Sequence, residues 1–104
     1  MPIRGPLTLA SLAALRFDTA VMGCCGLSAA DGLTAYDLDD AAVKKAAIAS
    51  TRRIIVAADG SKLGHTAYAY VGPATLLHTL VTDTTAPADE VAALEGTGTV
   101  VRAV

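Results

Sequence analysis

Apolar and polar positions along the chain fall into blocks that predict helices and strands in turn. Residues 7–16 place leucines and alanines at helical spacing, and residues 39–51 form a second helical segment behind a cluster of aspartates. Residues 87–95 predict a third helix, because Pro87 falls in its first turn and Gly96 follows its end. Short apolar runs predict strands at residues 18–22, 54–58, 79–82 and 99–103.

The run at residues 54–58, Ile-Ile-Val-Ala-Ala, gives the strongest indication of the fold. It is apolar at every position, as a central strand buried on both faces of a parallel sheet requires. The helices between the strands supply the crossover connections that parallel strands need. The sequence therefore predicts one α/β domain over residues 1–104, with a mostly parallel sheet and flanking crossover helices.

The segments between these elements are predicted to be less regular. Residues 27–36 contain glycine and serine and are predicted to form a loop, and residues 73–78 a turn or short helix. Residues 65–71 alternate weakly and are predicted to add an edge strand to the sheet. Tyr68 and Tyr70 fall on the same side of that strand, which favours a packing or interface role.

The charge balance argues against nucleic-acid binding by this chain alone. The formal net charge is −2, and no run of Lys and Arg is longer than the pairs Lys44-Lys45 and Arg52-Arg53. Binding to a phosphate backbone needs clustered cations, which are missing here. Arg52-Arg53 is expected near the end of the second helix, where cations match the negative end of the helix dipole.

The remaining composition predicts a soluble, cytoplasmic, oligomeric protein. The longest stretch without Asp, Glu, Lys or Arg, Leu63–Thr82, includes two histidines, two glycines and a proline, so no membrane span is expected. Cys24 and Cys25 are adjacent with no second pair, which favours reduced intracellular thiols packed after a strand over a metal site. A hydrophobic content of 53% exceeds that of an average domain and predicts a face buried by another chain.

Three predicted strands end in short segments that contain glycine or polar residues: 23–26, 59–62 and 82–83. In parallel α/β sheets, ligands bind beyond the carboxyl ends of the strands. Glycines let backbone N–H groups approach a ligand, and a lysine beside an acid suits a phosphate or a sugar hydroxyl. The alternative is that these are ordinary turn residues, since Gly and Asp are common in turns for conformational reasons.

A longer series of landmarks runs through the chain in a fixed order. It comprises Gly5-Pro6, Phe17-Asp18 with Gly23 and Gly26, Gly32-Leu33-Thr34, Asp40-x-x-x-Lys44, residues 54–64 and Leu80-Val81-Thr82-Asp83. In order and spacing this series resembles the C-terminal effector-sensing domain of the DeoR family of bacterial transcriptional repressors. The most specific piece is Ala58-Asp59-Gly60-Ser61-Lys62-Leu63-Gly64, which is similar to the family's Ala-Asp-Ser-Ser-Lys-Phe-Gly.

This resemblance implies a fold related to ribose-5-phosphate isomerase, glucosamine-6-phosphate deaminase and the CoA transferases. It implies a phosphorylated sugar or related metabolite as effector, and an oligomeric repressor of sugar-catabolism genes. Against the family pattern, residues 1–104 are expected to be the later part of such a sensor domain, without its first strand, its Gly-Thr-rich phosphate loop and the winged helix-turn-helix domain that would contact operator DNA. Asp40 stands where the family usually has Glu.

The strand ends and the resemblance together predict one effector site. Its expected ligand-binding residues are Gly23, Gly26, Lys44, Asp59 and Lys62. The alternatives are local ion pairs, in which Lys44 pairs with Asp40 one helical turn earlier and Lys62 pairs with Asp59.

No catalytic residue, metal ligand or cofactor is predicted. His65 and His78 lack the partners of a catalytic triad or a metalloprotease. Two other functions stay open: an enzyme of the isomerase or deaminase type, with Asp59 and Lys62 as formal acid–base groups, and an assembly module that pairs with a full-length repressor.

Overall fold

The computed structural model describes residues 15–104, which contain two sheets and two α-helices. The helix predicted over residues 7–16 lies, up to residue 14, outside the described residues. In chain order the elements are β1 (Phe17–Met22), β2 (Gly26–Ser28), β3 (Gly32–Ala35), α1 (Leu38–Ala49), β4 (Thr51–Ala57), a 3-10 turn (Gly60–Lys62), β5 (Ala69–Gly72), a second 3-10 turn (Ala74–Leu76), β6 (Thr79–Thr82), α2 (Ala88–Gly96) and β7 (Val100–Ala103).

The predicted parallel sheet is confirmed. Its strands lie in the order β1-β4-β6-β7, and every pairing is parallel. Ile55 of β4 pairs with Val21 on one side and Thr79 on the other, which places β4 at the centre as its continuous apolar run predicted. The α/β fold with a mostly parallel sheet is therefore what the sequence indicated.

Helix α1 begins where the aspartates predicted but ends earlier than expected. The Asp37 side chain caps it by accepting a hydrogen bond from the backbone N–H of Asp40 at 2.8 Å. The helix stops at Ala49, and the predicted placement of Arg52 and Arg53 at its end is wrong, because both belong to β4. Pairing with β1 draws them into that strand, since Thr19 is the register partner of Arg53.

A second, antiparallel sheet was not predicted. It has the order β2-β3-β5, and β3 lies inside the segment 27–36 that was expected to be a loop. The weakly alternating segment is an edge strand, as predicted, but it begins at Ala69 and belongs to this second sheet. Leu27 and Leu33 are fully buried, so tertiary packing overrides the turn-like composition of their segment.

The core lies between the parallel sheet, the second sheet and the two helices. Its fully buried large side chains come from both sheets and from α2: Leu27, Leu33, Ile54, Val56, Leu80 and Leu94. No helix within residues 15–104 is both long and apolar enough to cross a membrane.

Candidate functional site

The carboxyl ends of β1, β4 and β6 lie side by side at one edge of the parallel sheet. Parallel pairing aligns Met22 with Val56 and Ala57 with Val81, so the residues that follow these strands emerge together. Gly23 follows β1, Asp59 lies two residues beyond β4, and Asp83 follows β6 directly. The three strand-end motifs identified in the sequence therefore share one edge.

The loop after β4 is held by its own hydrogen bonds. Asp59 Oδ1 accepts from the backbone N–H of Ser61 at 3.1 Å and from the Ser61 hydroxyl, and the Lys62 N–H donates to the Asp59 carbonyl at 3.1 Å. The Gly60 N–H donates to Asp83 Oδ1 at 3.2 Å. These N–H groups are already engaged within the protein, which leaves the Lys62 ammonium as the loop's strongest group for an anion.

Asp83 acts here as a structural acceptor. Hydrogen bonds from the Thr85 hydroxyl, the Thr85 N–H (2.9 Å) and the Gly60 N–H hold the pKa of Asp83 below its usual value. The carboxylate therefore joins the β4 loop to the start of the β6–α2 connection. A Cβ built on Gly60 would collide with the backbone N of Ala86, so only glycine fits against that connection.

The ammonium of Lys62 has no ion-pair partner within 4.0 Å among residues 15–104. Its side chain is half-buried, and Asp59 directs its Oδ1 to Ser61. The expected alternative of a Lys62–Asp59 ion pair is thus not formed. A half-buried cation of this kind favours an anionic partner from outside the described residues.

Lys44 and Cys24 approach the same place from α1 and from the end of β1. Burial, followed by Cys25, raises the pKa of Cys24 to about 11, whereas the charges of Lys44 and Lys62 lower it and that of Asp59 raises it. Lys44, Asp59 and Lys62 therefore lie close enough to act electrostatically on one sulfur atom. The Cys24 thiol is protonated at neutral pH, which argues against a nucleophilic role.

Lys44 also forms the local ion pair that its spacing indicated. Its Nζ lies 2.8 Å from Asp40 Oδ1, one helical turn earlier on α1. Both side chains are largely shielded from solvent, with 17% and 25% exposure. Asp40 therefore holds the ammonium of Lys44 in place on α1.

The two candidate glycines occupy different environments. Gly23 is exposed, and a Cβ built on it would lie 3.9 Å from its nearest neighbour, the Ala57 carbonyl oxygen. Gly26 is buried in β2, where a Cβ would collide with the His65 carbonyl and lie 2.8 Å from Thr34 Oγ1. Gly26 thus allows close packing in the second sheet, while Gly23 stays at the strand-end edge.

Thr82 adds a feature that depends on packing and could not be identified from the sequence. Its side chain is 3% exposed, and its Oγ1 has no hydrogen-bond partner within the described part of the chain. A depression of about 320 Å³ lies over the adjacent strand ends, lined by Ala58, Asp59, Thr82 and Asp83 among others. An unpaired buried hydroxyl beside a depression is a group that a polar ligand can satisfy.

The structure offers no metal centre in residues 15–104. No three side chains of His, Cys, Asp or Glu in that part lie close enough to hold an ion. The cysteines are free thiols.

Comparison with known proteins identifies one family model and several relatives, all of which are connected with transcriptional regulation. Residues 2–84 match the family model of the DeoR C terminal sensor domain. FruR of Bacillus subtilis strain 168, described as an uncharacterized HTH-type transcriptional regulator, is 35% identical over 80 residues, which cover 74% of this chain and 32% of that protein. The glycerol-3-phosphate regulon repressors of Escherichia coli K12 and Shigella flexneri are each 27% identical over 85 residues, or 82% of this chain and 34% of the repressor. The chain thus spans about a third of the length of these relatives.

Proposed function

Because the chain belongs to the DeoR C terminal sensor domain family, we propose that it is the effector-sensing module of a transcriptional regulator of sugar metabolism. Its effector is a phosphorylated sugar or a related metabolite, bound where Gly23, Asp59 and Lys62 meet at the carboxyl ends of the parallel strands. Operator DNA is contacted by a separate domain of the complete regulator. This follows the pattern in which parallel α/β sheets bind ligands beyond their strand ends.

The unpaired ammonium of Lys62 carries this proposal. It is half-buried and has no carboxylate within 4.0 Å in residues 15–104. A phosphate group supplies the missing counter-charge through charge-assisted hydrogen bonds. Lys44 adds a second positive charge nearby, although its ion pair with Asp40 reduces its share of the binding energy.

The neighbouring polar groups suit the rest of a sugar phosphate. Asp59 lies beside Lys62 and keeps an oxygen, Oδ2, for a sugar hydroxyl, since the hydrogen bonds that its side chain accepts all use Oδ1. The buried Thr82 hydroxyl is a further group for a sugar oxygen. Gly26 contributes indirectly, by allowing close packing against His65 and Thr34 in and beside the second sheet.

An enzymatic role has less support. The relatives are named as a transcriptional regulator and as repressors. The Cys24 thiol, with its pKa raised to about 11 by burial, is a poor nucleophile at neutral pH. We therefore assign Asp59 and Lys62 a binding role.

The proposal is tested by calorimetric titration with a panel of phosphates. The panel contains glycerol 3-phosphate, fructose 6-phosphate, ribose 5-phosphate and inorganic phosphate, with unphosphorylated fructose for comparison. Replacing Lys62 with Ala should weaken phosphate-dependent binding by about ten- to a hundredfold, because a charge-assisted hydrogen bond contributes about 1.5–3 kcal/mol. Lys45→Ala, on the exposed side of α1, is the matched control and should leave affinity unchanged. Equal affinities for the parent and the Lys62 variant would remove Lys62 from the site.

A further inference from the structure

Two buried side-chain atoms have no hydrogen-bond partner within residues 15–104. They are Thr82 Oγ1 and Glu90 Oε2. Buried polar atoms are paired in nearly all folded proteins, so each exception requires a physical explanation. Thr82 is the last residue of β6, and Glu90 lies in the first turn of α2, the next helix along the chain. The two unpaired atoms therefore belong to consecutive elements of the fold.

Both side chains belong to the core side of the parallel sheet. Thr82 lies two residues after Leu80, and alternate residues of a strand share one face. Glu90 lies four residues before Leu94, and residues four apart share one face of a helix. Leu80 and Leu94 are fully buried in one hydrophobic cluster. Thr82 and Glu90 therefore border that cluster at the carboxyl end of β6, which is the end where the effector site is proposed.

The loop that carries Lys62 runs beside Glu90. At the start of the loop, Gly60 packs against Ala86, where an added Cβ would collide with the backbone N. At its end, Gly64 packs against Glu90, because a Cβ built on Gly64 would lie 3.4 Å from Glu90 Cγ and 3.6 Å from Glu90 Oε1. Lys62 lies midway along the chain between these two glycines. Glu90 therefore borders the loop that presents the unpaired ammonium.

The hydrogen-bonding capacity of these groups defines the ligand that would satisfy them. A carboxylate only accepts hydrogen bonds, whereas a hydroxyl both donates and accepts. A ligand whose phosphate binds Lys62 satisfies Glu90 if it carries a hydroxyl that donates to Oε2. Thr82 already lines the depression beyond the strand ends, where a second ligand oxygen would meet it. Glu90 is only half-buried, so rotation about its side-chain bonds can bring Oε2 to such a ligand.

We propose that Glu90, together with Thr82, determines the specificity of the effector site by binding the hydroxyl groups of a phosphorylated sugar. The inference rests on the proposed function, because the phosphate at Lys62 brings those hydroxyls to Glu90. In the free chain both unpaired atoms lower stability, and the bound effector removes that cost. Substitution of these side chains should therefore weaken sugar binding without weakening the fold, a separation that a purely structural role does not give.

Calorimetric titration of the 104-residue chain separates the hydroxyl contacts from the phosphate contact. The probes are glycerol 3-phosphate, fructose 6-phosphate and methyl phosphate, the last of which carries the charged group without any sugar hydroxyl. Glu90→Gln should weaken the two hydroxyl-bearing phosphates about tenfold, because a hydrogen bond to a charged acceptor is lost. It should not weaken methyl phosphate, since the substitution removes a negative charge near an anion. Glu95→Gln, at an exposed position of the same helix, is the matched control and should leave all three affinities unchanged.

Urea unfolding of the free chain supplies a second readout. Thr82→Val removes the unpaired hydroxyl and keeps the shape of the side chain, so the urea midpoint should stay equal or rise. The same variant should bind the two hydroxyl-bearing phosphates at least threefold more weakly and methyl phosphate equally well. A hydroxyl that only bound a structural water would lower the midpoint on substitution and leave the affinities unchanged, which would overturn the role of Thr82.

Two results at Glu90 would overturn the proposal. Unchanged affinity for both hydroxyl-bearing phosphates in Glu90→Gln would remove Glu90 from the site, and an equal loss for methyl phosphate would assign it a structural role. Lys62→Ala distinguishes this failure from failure of the proposed function, because weaker binding of all three phosphates in that variant upholds the phosphate site whatever the result at Glu90. If none of the three phosphates binds the parent chain, both proposals fail.

Discussion

Asp83 Oδ1 accepts a hydrogen bond from the backbone N–H of Gly60 at 3.2 Å, which ties the end of β6 to the loop after β4. The same oxygen accepts from the N–H and hydroxyl of Thr85. The loop that carries Lys62, two residues after Gly60, is thus held by a carboxylate that directly follows the neighbouring strand β6. These hydrogen bonds favour the ionised form of the Asp83 carboxylate and lower its pKa.

We expect the contribution of Asp83 to stability to disappear at low pH. Hydrogen bonds from Thr85 and Gly60 lower its pKa from the ordinary value of 3.8, so the contribution is fully present above that value. It is lost as the pH falls below 3.8 and through the lowered pKa of the folded state. Urea unfolding at several pH values should show Asp83→Asn less stable than the parent near neutrality, with the difference narrowing in acid. Asp18→Asn, at an exposed position of β1, serves as the control. A difference that did not change with pH would contradict this account.

Gly26 and Gly23 should respond very differently to the same substitution. A Cβ at Gly26 would collide with the His65 carbonyl, whereas at Gly23 the nearest atom is 3.9 Å away. Gly26→Ala should lower the free energy of unfolding by about 1–3 kcal/mol, which is typical of overpacking. Gly23→Ala should change it by less than about 0.5 kcal/mol, as for surface substitutions. Chemical denaturation of both variants checks this. Equal losses in the free energy of unfolding would show that close packing does not explain the need for glycine at position 26.

The parallel sheet could be predicted because its signals are local. The continuous apolar run at residues 54–58 predicts a central strand, and the aspartates before α1 predict its start. The second sheet could not be predicted, because its strands are short and depend on distant partners. Leu33 pairs with Gly72, and Gly26 is required to be glycine by His65, which lies far along the chain. Local composition alone made the segment between Leu27 and Tyr36 resemble a loop.

The candidate site also combines features that local sequence predicts with features that depend on contacts between distant residues. The spacing of Asp40 and Lys44 is enough to predict their ion pair, since side chains four residues apart meet on a helix. The shared edge of the strand ends follows from parallel pairing. The hydrogen bond from the Gly60 N–H to Asp83 depends on how separate strands pack, and so does the unpaired hydroxyl of Thr82 in the described chain. No local sequence pattern therefore reveals either feature.

The oligomer predicted from the apolar composition has a candidate surface where the second sheet meets the start of α1. We define an aromatic patch formed by Tyr36, Leu38, Tyr68 and Tyr70, of which Tyr68 is 94% exposed and Leu38 81%. Tyr68→Ser should weaken self-association at least tenfold in sedimentation experiments, because exposed aromatic side chains are common anchors of interfaces. Lys45→Ser, also exposed but outside the patch, should have no effect. A parent chain that is monomeric at every concentration would contradict the prediction.

Cys24 offers a chemical probe of the proposed effector site. Burial raises the pKa of its thiol to about 11, while the positive charges of Lys44 and Lys62 oppose that increase. Alkylation by iodoacetamide requires the thiolate, so its rate at Cys24 should rise about tenfold per pH unit up to that pKa.

Removing or neutralising Lys62 should therefore slow the modification of Cys24. In Lys62→Met the opposing positive charge is lost, the pKa of Cys24 rises further, and less thiolate is present at any pH below it. A phosphate bound at Lys62 should have the same effect in the parent chain, since its negative charge offsets the lysine, and this slowing should be absent in Lys62→Met. Mass spectrometry of the peptide carrying Cys24 measures the rate, with Lys45→Met as the control. Faster alkylation of the parent on adding a sugar phosphate would show that the anion binds elsewhere and opens the site instead.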